Sequence, residues 1–151
     1  MKPALKEKTI KQYTIIAGCG RLGANLANTL SNNGESVLII DWNQDAFRKL
    51  SPSFGGQVLL GDATDMSALH EAEIAKAETV VSVTNNDNTN IFVAQIASEY
   101  YGVPHVIARL YDSERDIVYK EFKIDTIYPA VLSAKEIDKI LYFHDSPEEK
   151  A

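Results

Sequence analysis

Three glycines and one aspartate carry the clearest chemistry in this chain. Gly18, Gly20 and Gly23 form a G-x-G-x-x-G step straight after the apolar run Tyr13-Thr14-Ile15-Ile16-Ala17. Asp41 closes the next apolar run, eighteen residues beyond Gly23. Between a strand and a helix, the first glycine permits a tight turn, the second lets backbone approach a phosphate, and the third lets the helix pack on the strand. The helix start then offers unpaired N–H groups and a partial positive charge to an anion. A carboxylate at the end of the second strand suits a ribose diol. The pattern predicts a nucleotide pocket whose loop also includes Cys19, Arg21 and Leu22.

Further residues belong to the same expected pocket. Arg21 is a cation at a helix start, where it opposes the helix dipole, so either a ligand phosphate or a surface carboxylate must compensate it. Asp41 is followed by Trp42 and Asn43 rather than by a basic residue, which disfavours a 2′-phosphorylated ribose. Trp42 either lies against an adenine or packs under the strand edge. Gly61-Asp62-Ala63-Thr64 ends an apolar run where an adenine edge would lie, and Thr64 or Asp65 also suits a helix cap. Thr84, Asn85 and Asn86 follow the fourth apolar run and suit phosphate or ribose contacts, or the cap of the next helix. Cys19, the single cysteine, excludes an internal disulfide and gives no metal-ligand pattern. It reads as a small side chain beside phosphate, with a redox thiol as the alternative, because a helix start can depress a thiol pKa. His70, His105 and His144 pair with no nucleophile, and no H-E-x-x-H or G-x-S-x-G occurs, so no catalytic set is expected.

The elements that must position these residues alternate along the chain. Strands are predicted at 13–17, 36–41, 57–60, 79–83, within 103–110 and at 126–128. Helices are predicted at 21–33, 43–51, 65–72, from about 87 to Tyr101, at 112–122 and at 130–143. Strictly alternating β and α predicts a doubly wound, Rossmann-like parallel sheet in the order 3-2-1-4-5-6, with the crevice outside the ends of strands one and four. With 151 residues and 45% hydrophobic side chains, the chain is one domain over residues 12–143. A lysine-bearing stretch at 1–11 reads as a solvated flexible arm, with contact to a membrane-proximal partner as the alternative, and a tail at 144–151 reads as disordered. The net charge of −6 argues against nucleic-acid partners. No leader pattern and no span of roughly 18 apolar residues is present, so a cytoplasmic location is expected.

The segments I-I-A-G-C-G-R-L-G (15–23), L-I-I-D (38–41), G-D-A-T (61–64), V-T-N-N-D (83–87) and V-I-A-R (106–109) resemble the KTN domain. It is also called the RCK N-terminal or TrkA-N domain, and it gates prokaryotic potassium channels and transporters. The resemblance implies a cytoplasmic regulatory subunit of a Trk/Ktr-type potassium uptake system that binds AMP, ADP, ATP or NAD(H). By position, Arg21 would meet phosphate, Asp41 the ribose hydroxyls, Asp62 and Ala63 the adenine, and Thr84 and Asn85 the phosphate side. Arg109 would sit near the ligand or a dimer contact. The last helix would be the crossover helix that packs on a second copy, within a homodimer and a larger ring beneath a membrane potassium-translocating subunit. Many members carry a second, C-terminal RCK domain, so a separately encoded RCK-type partner is a further expectation. The rival readings are an NAD-dependent oxidoreductase and a SAM-dependent methyltransferase. Arg21 counts against the latter, since SAM carries no phosphate.

Overall fold

The fold is seen in a computed structural model that describes residues 12–114 and 116–144. The expected arm at 1–11 and the tail beyond His144 lie outside the described residues. The strands are β1 (Tyr13–Ala17), β2 (Ser36–Asp41), β3 (Gln57–Leu60), β4 (Thr79–Ser82), β5 (His105–Arg109) and β6 (Asp125–Ile127). They form one parallel sheet in the order β3-β2-β1-β4-β5-β6, as the alternating pattern predicts. β1 lies centrally, with Ile16 beside Ile39 of β2 and Val81 of β4.

Successive side chains of a strand point to opposite faces, so a parallel strand covered on both sides is apolar throughout. Ile15, Ala17, Leu38, Ile40, Val80 and Val106 join one buried cluster, and Ile16, Val37, Ile39 and Val81 join the other. The helices are α1 (Arg21–Asn32), α2 (Met66–Glu71), α3 (Asp87–Gln95), α4 (Asp116–Lys120) and α5 (Pro129–His144). α1 buries Gly23, Ala24 and Ala27 against the second cluster.

Three expected helices differ. The segment expected at 43–51 is a 3-10 turn, Gln44–Lys49, which Asn43 caps by accepting from the Asp45 amide at 3.0 Å. The turn ends with an i→i+3 bond from Leu50 to Phe47, and Val58 and Leu60 of the edge strand β3 are about half exposed. α3 ends at Gln95 and continues as a π turn, Ile96–Tyr100. The Tyr101 amide donates to the Ile96 carbonyl five residues back, which is the separation of those two apolar positions in the sequence. The helix expected at 112–122 shrinks to α4, and ahead of it the Tyr111 and Asp112 amides donate to the Asp87 carboxylate at the start of α3.

α5 stands apart. None of its residues joins either buried cluster, and Val131, Leu132, Ile137, Ile140, Leu141 and Phe143 are 40–58% exposed. No helix among the described residues is long and apolar enough to cross a membrane.

Candidate nucleotide-binding site

A cavity of about 610 Å3 opens over the carboxyl ends of β1, β2, β3 and β4. Its lining brings together Gly18, Cys19, Gly20, Asp41, Trp42, Asn43, Gly61, Asp62, Ala63, Thr64, Thr84, Asn85 and Asn86. These residues come from four separate turns, and the parallel sheet places all four turns at one end.

The glycine loop follows from sterics. Gly18 has φ +109°, and a Cβ there would stand 2.9 Å from the Thr84 amide nitrogen and the Val83 carbonyl. The loop therefore closes against the end of β4 only with glycine at this position. A Cβ on Gly23 would overlap the Gly18 carbonyl, so the third glycine lets α1 approach the turn. At Gly20 a Cβ would meet nothing within 4 Å, which leaves open space beside the cavity that this residue lines.

Asp41 ties this loop to β2. One carboxylate oxygen accepts from the Cys19 amide at 2.8 Å, and the other accepts from the Asn43 amide at 2.9 Å. Each oxygen keeps a lone pair, so the carboxylate can hold the loop and still accept from a hydroxyl. Trp42 is 77% exposed at the cavity wall and does not pack beneath the strand edge. Asp62 accepts from the Thr64 hydroxyl at 2.7 Å and the Thr64 amide at 2.9 Å. These bonds, the hydroxyl's first, hold its carboxyl below the usual value. The helix cap at this turn is Asp65, which accepts from the Ser67 amide at 3.0 Å.

The Cys19 thiol is fully buried and donates to the Ala46 carbonyl at 3.4 Å. Burial foremost, and then the Asp41 carboxylate, push its pKa up, against a lowering by Lys49. The alternative of a redox thiol with a depressed pKa is not supported, since the shift runs upward.

The β4 turn is organised by Asn90, which sequence reasoning missed. Asn90 is fully buried, and its Oδ1 accepts from the Thr84 hydroxyl at 2.6 Å, the Thr84 amide at 2.8 Å and the Ser82 hydroxyl at 3.2 Å. Its Nδ2 donates to the carbonyls of Arg109 at 2.7 Å and Thr84 at 3.0 Å. Its position one helical turn into α3 was the available signal. Asn86 caps α3 by accepting from the Thr89 amide at 3.0 Å.

Four of the expected residues stand outside the cavity lining. Arg21 opens α1 and is exposed, as is its neighbour Leu22, and Gly23 packs beneath the loop. Arg109 braces the β4 turn from the side, donating to the Val83 and Thr84 carbonyls at 3.1 Å, with its guanidinium 5.6 Å from the Tyr111 ring centre. Lys49, which the sequence reading passed over, does line the cavity, and it is the one cationic side chain among the described lining residues. His70 and His105 are exposed and lie outside the lining.

Comparison with known proteins gives a consistent picture. The family model of the TrkA-N domain matches residues 14–129. The chain is similar to the Trk system potassium uptake protein TrkA of Streptomyces coelicolor, with 41% identity over 115 residues, covering 76% of this chain and 52% of that protein. It spans about half the length of the curated relatives it matches. Among solved structures, the GsuK RCK domain superposes with a TM-score of 0.72 at 26% identity, over 89% of this chain and 29% of that one. The Kef CTD of Shewanella denitrificans, solved in an AMP-bound form, shares the fold with a TM-score of 0.72 at 21% identity, over 90% of this chain and 84% of its own.

Proposed function

The chain belongs to the TrkA-N domain family, and on that premise we propose that it binds an adenine nucleotide or NAD(H) and thereby regulates a potassium uptake system. The observation that carries this reading is the Asp41–Cys19 bond beside the open space at Gly20. One carboxylate both shapes the glycine loop and presents a lone pair to a ribose, while the adjoining backbone and α1 start suit a phosphate. Trp42 at the wall offers an aromatic face to the base, and Asp62 and Ala63 border it. The AMP-bound Kef CTD supports the choice of ligand class through its shared fold.

Regulation needs binding without turnover. A nucleotide bridging the glycine loop and the Thr84–Asn86 turn biases one arrangement of an assembly, by the difference in its affinity for the two arrangements. The exposed apolar stripe of α5 suits a second copy of the chain, in a dimer or larger ring on the cytoplasmic side of a membrane potassium-translocating subunit.

A thermal-shift panel of AMP, ADP, ATP, NAD, NADH, NADP and SAM tests the reading, since a ligand bound only to the native state raises the melting temperature. Adenine nucleotides are expected to raise it, with no consumption of any ligand. A shift by SAM alone would sink the proposal.

A further inference from the structure

We infer that Lys49 is the side chain with which the cavity holds a phosphoryl group carried on the ribose of its nucleotide. This rests on the nucleotide reading and concerns which residue meets the anion. Three charged residues line the cavity: Asp41, Asp62 and Lys49. Both carboxylates already serve the fold, Asp41 on the Cys19 and Asn43 amides and Asp62 on Thr64. Lys49 forms no ion pair among the described residues, whereas its neighbour Arg48 pairs with Asp45 at 3.7 Å.

Its place in the fold matters as much as its charge. Lys49 ends the 3-10 turn that carries Ala46, and the Ala46 carbonyl accepts from the Cys19 thiol, so that turn lies against the glycine loop. The Cys19 amide in turn donates to Asp41. Lys49 thus lines the same cavity as Asp41, on a turn packed against the glycine loop. Arg21, the cation expected there from the sequence, does not line the cavity. A lysine is a compact point charge with three rotatable donors and serves as a phosphate binder without demanding a fixed fork. Two phosphoryl positions on the ribose share this chemistry, the 5′-phosphate chain and a 2′-phosphate.

Calorimetric titration of the wild-type chain, Lys49→Gln and Lys49→Arg with adenosine, 5′-AMP, 2′-AMP, NAD and NADP tests the inference. Lys49 is exposed, so both variants are expected to melt with the wild type. Lys49→Gln is expected to lose about tenfold in affinity for a phosphorylated ligand while keeping its adenosine affinity, and Lys49→Arg to retain most of both. A loss on 5′-AMP assigns the contact to the phosphate chain. A loss on 2′-AMP, with a fall in NADP binding relative to NAD, assigns it to the 2′ position. If Lys49→Gln keeps the wild-type ratios of both AMP isomers to adenosine, the inference is overturned and the nucleotide reading stands. If the wild type binds none of these ligands, the nucleotide reading itself falls, and the inference with it.

Discussion

Gly18 and Gly20 lie two residues apart and respond to an added methyl in opposite ways. Gly18→Ala places a Cβ at φ +109° against the backbone of Val83 and Thr84, so a loss of about 2–4 kcal/mol in a urea melt is expected. Gly20→Ala meets open space, and its stability is expected to stay within about 0.5 kcal/mol of the wild type. The same methyl enters the volume a phosphate needs, so AMP affinity should fall about tenfold or more. Equal AMP affinity in Gly20→Ala and the wild type would remove the glycine loop from the binding site. Asn90→Ala strips five hydrogen bonds from a fully buried position and leaves the Thr84 amide without its partner. Denaturant unfolding should register about 2–4 kcal/mol, because an unpaired buried donor keeps its whole desolvation penalty. The glycines, Asp41 and the two polar turns were legible in the sequence because the rules behind them concern backbone shape and strand ends. Asn90 and Lys49 were not, since an asparagine inside a helix and a lysine in a connection acquire meaning only from what folds against them.

At the scale of elements, the strands were more legible than the helices. A buried parallel strand writes its whole length in apolar residues, as Val37 to Ile40 do, whereas a helix end depends on competing local bonds. Asp87 makes such local bonds: its carboxylate accepts from the Tyr111 and Asp112 amides ahead of α4. α4 is in turn held to β6 by Asp116, which accepts from the Thr126 hydroxyl at 2.7 Å and the Tyr128 hydroxyl at 2.8 Å and pairs with Lys120 at 3.0 Å. The bonds from Thr126, Tyr128 and Lys120, in that order, hold the Asp116 carboxyl at about 2, below its ordinary 3.8. A carboxyl more acidic in the folded chain than in the unfolded one favours folding while it is ionised in both. As pH falls from about 4 towards about 2 the unfolded chain takes up the proton first, and that stabilisation disappears. Asp116→Asn is therefore expected to be less stable near neutral pH and to show a flatter loss between pH 4 and 2 in acid titrations followed by circular dichroism. An acid limb identical to the wild type's would show that the brace contributes nothing.

For the whole molecule the decisive feature is a helix without a partner inside its own chain. α5 keeps Val131, Leu132, Ile137, Ile140 and Leu141 at 40–58% exposure and places no residue in either buried cluster, whereas α1, α2 and α3 each contribute buried residues to them. An apolar stripe of this extent marks an interaction surface, and pairing with the same stripe on a second copy closes a two-fold dimer. No α5 residue lines the cavity, so assembly and ligand binding can be perturbed separately. If α5 pairs two copies as proposed, the wild type should sediment as a dimer and the double variant Ile137→Glu/Ile140→Glu as a monomer at the same concentration. Linkage then sets a stricter condition. If a nucleotide regulates through the assembly, monomerisation must change AMP affinity by the same factor, per site, by which AMP shifts the wild-type dimerisation constant, on the order of 5-fold or more. The two factors come from independent measurements, calorimetry on the variant and sedimentation of the wild type with and without AMP. Equal factors above one would place the control in the assembly. A dimer indifferent to AMP, with a variant that binds it as the wild type does, would leave the nucleotide no route through α5 to a membrane partner.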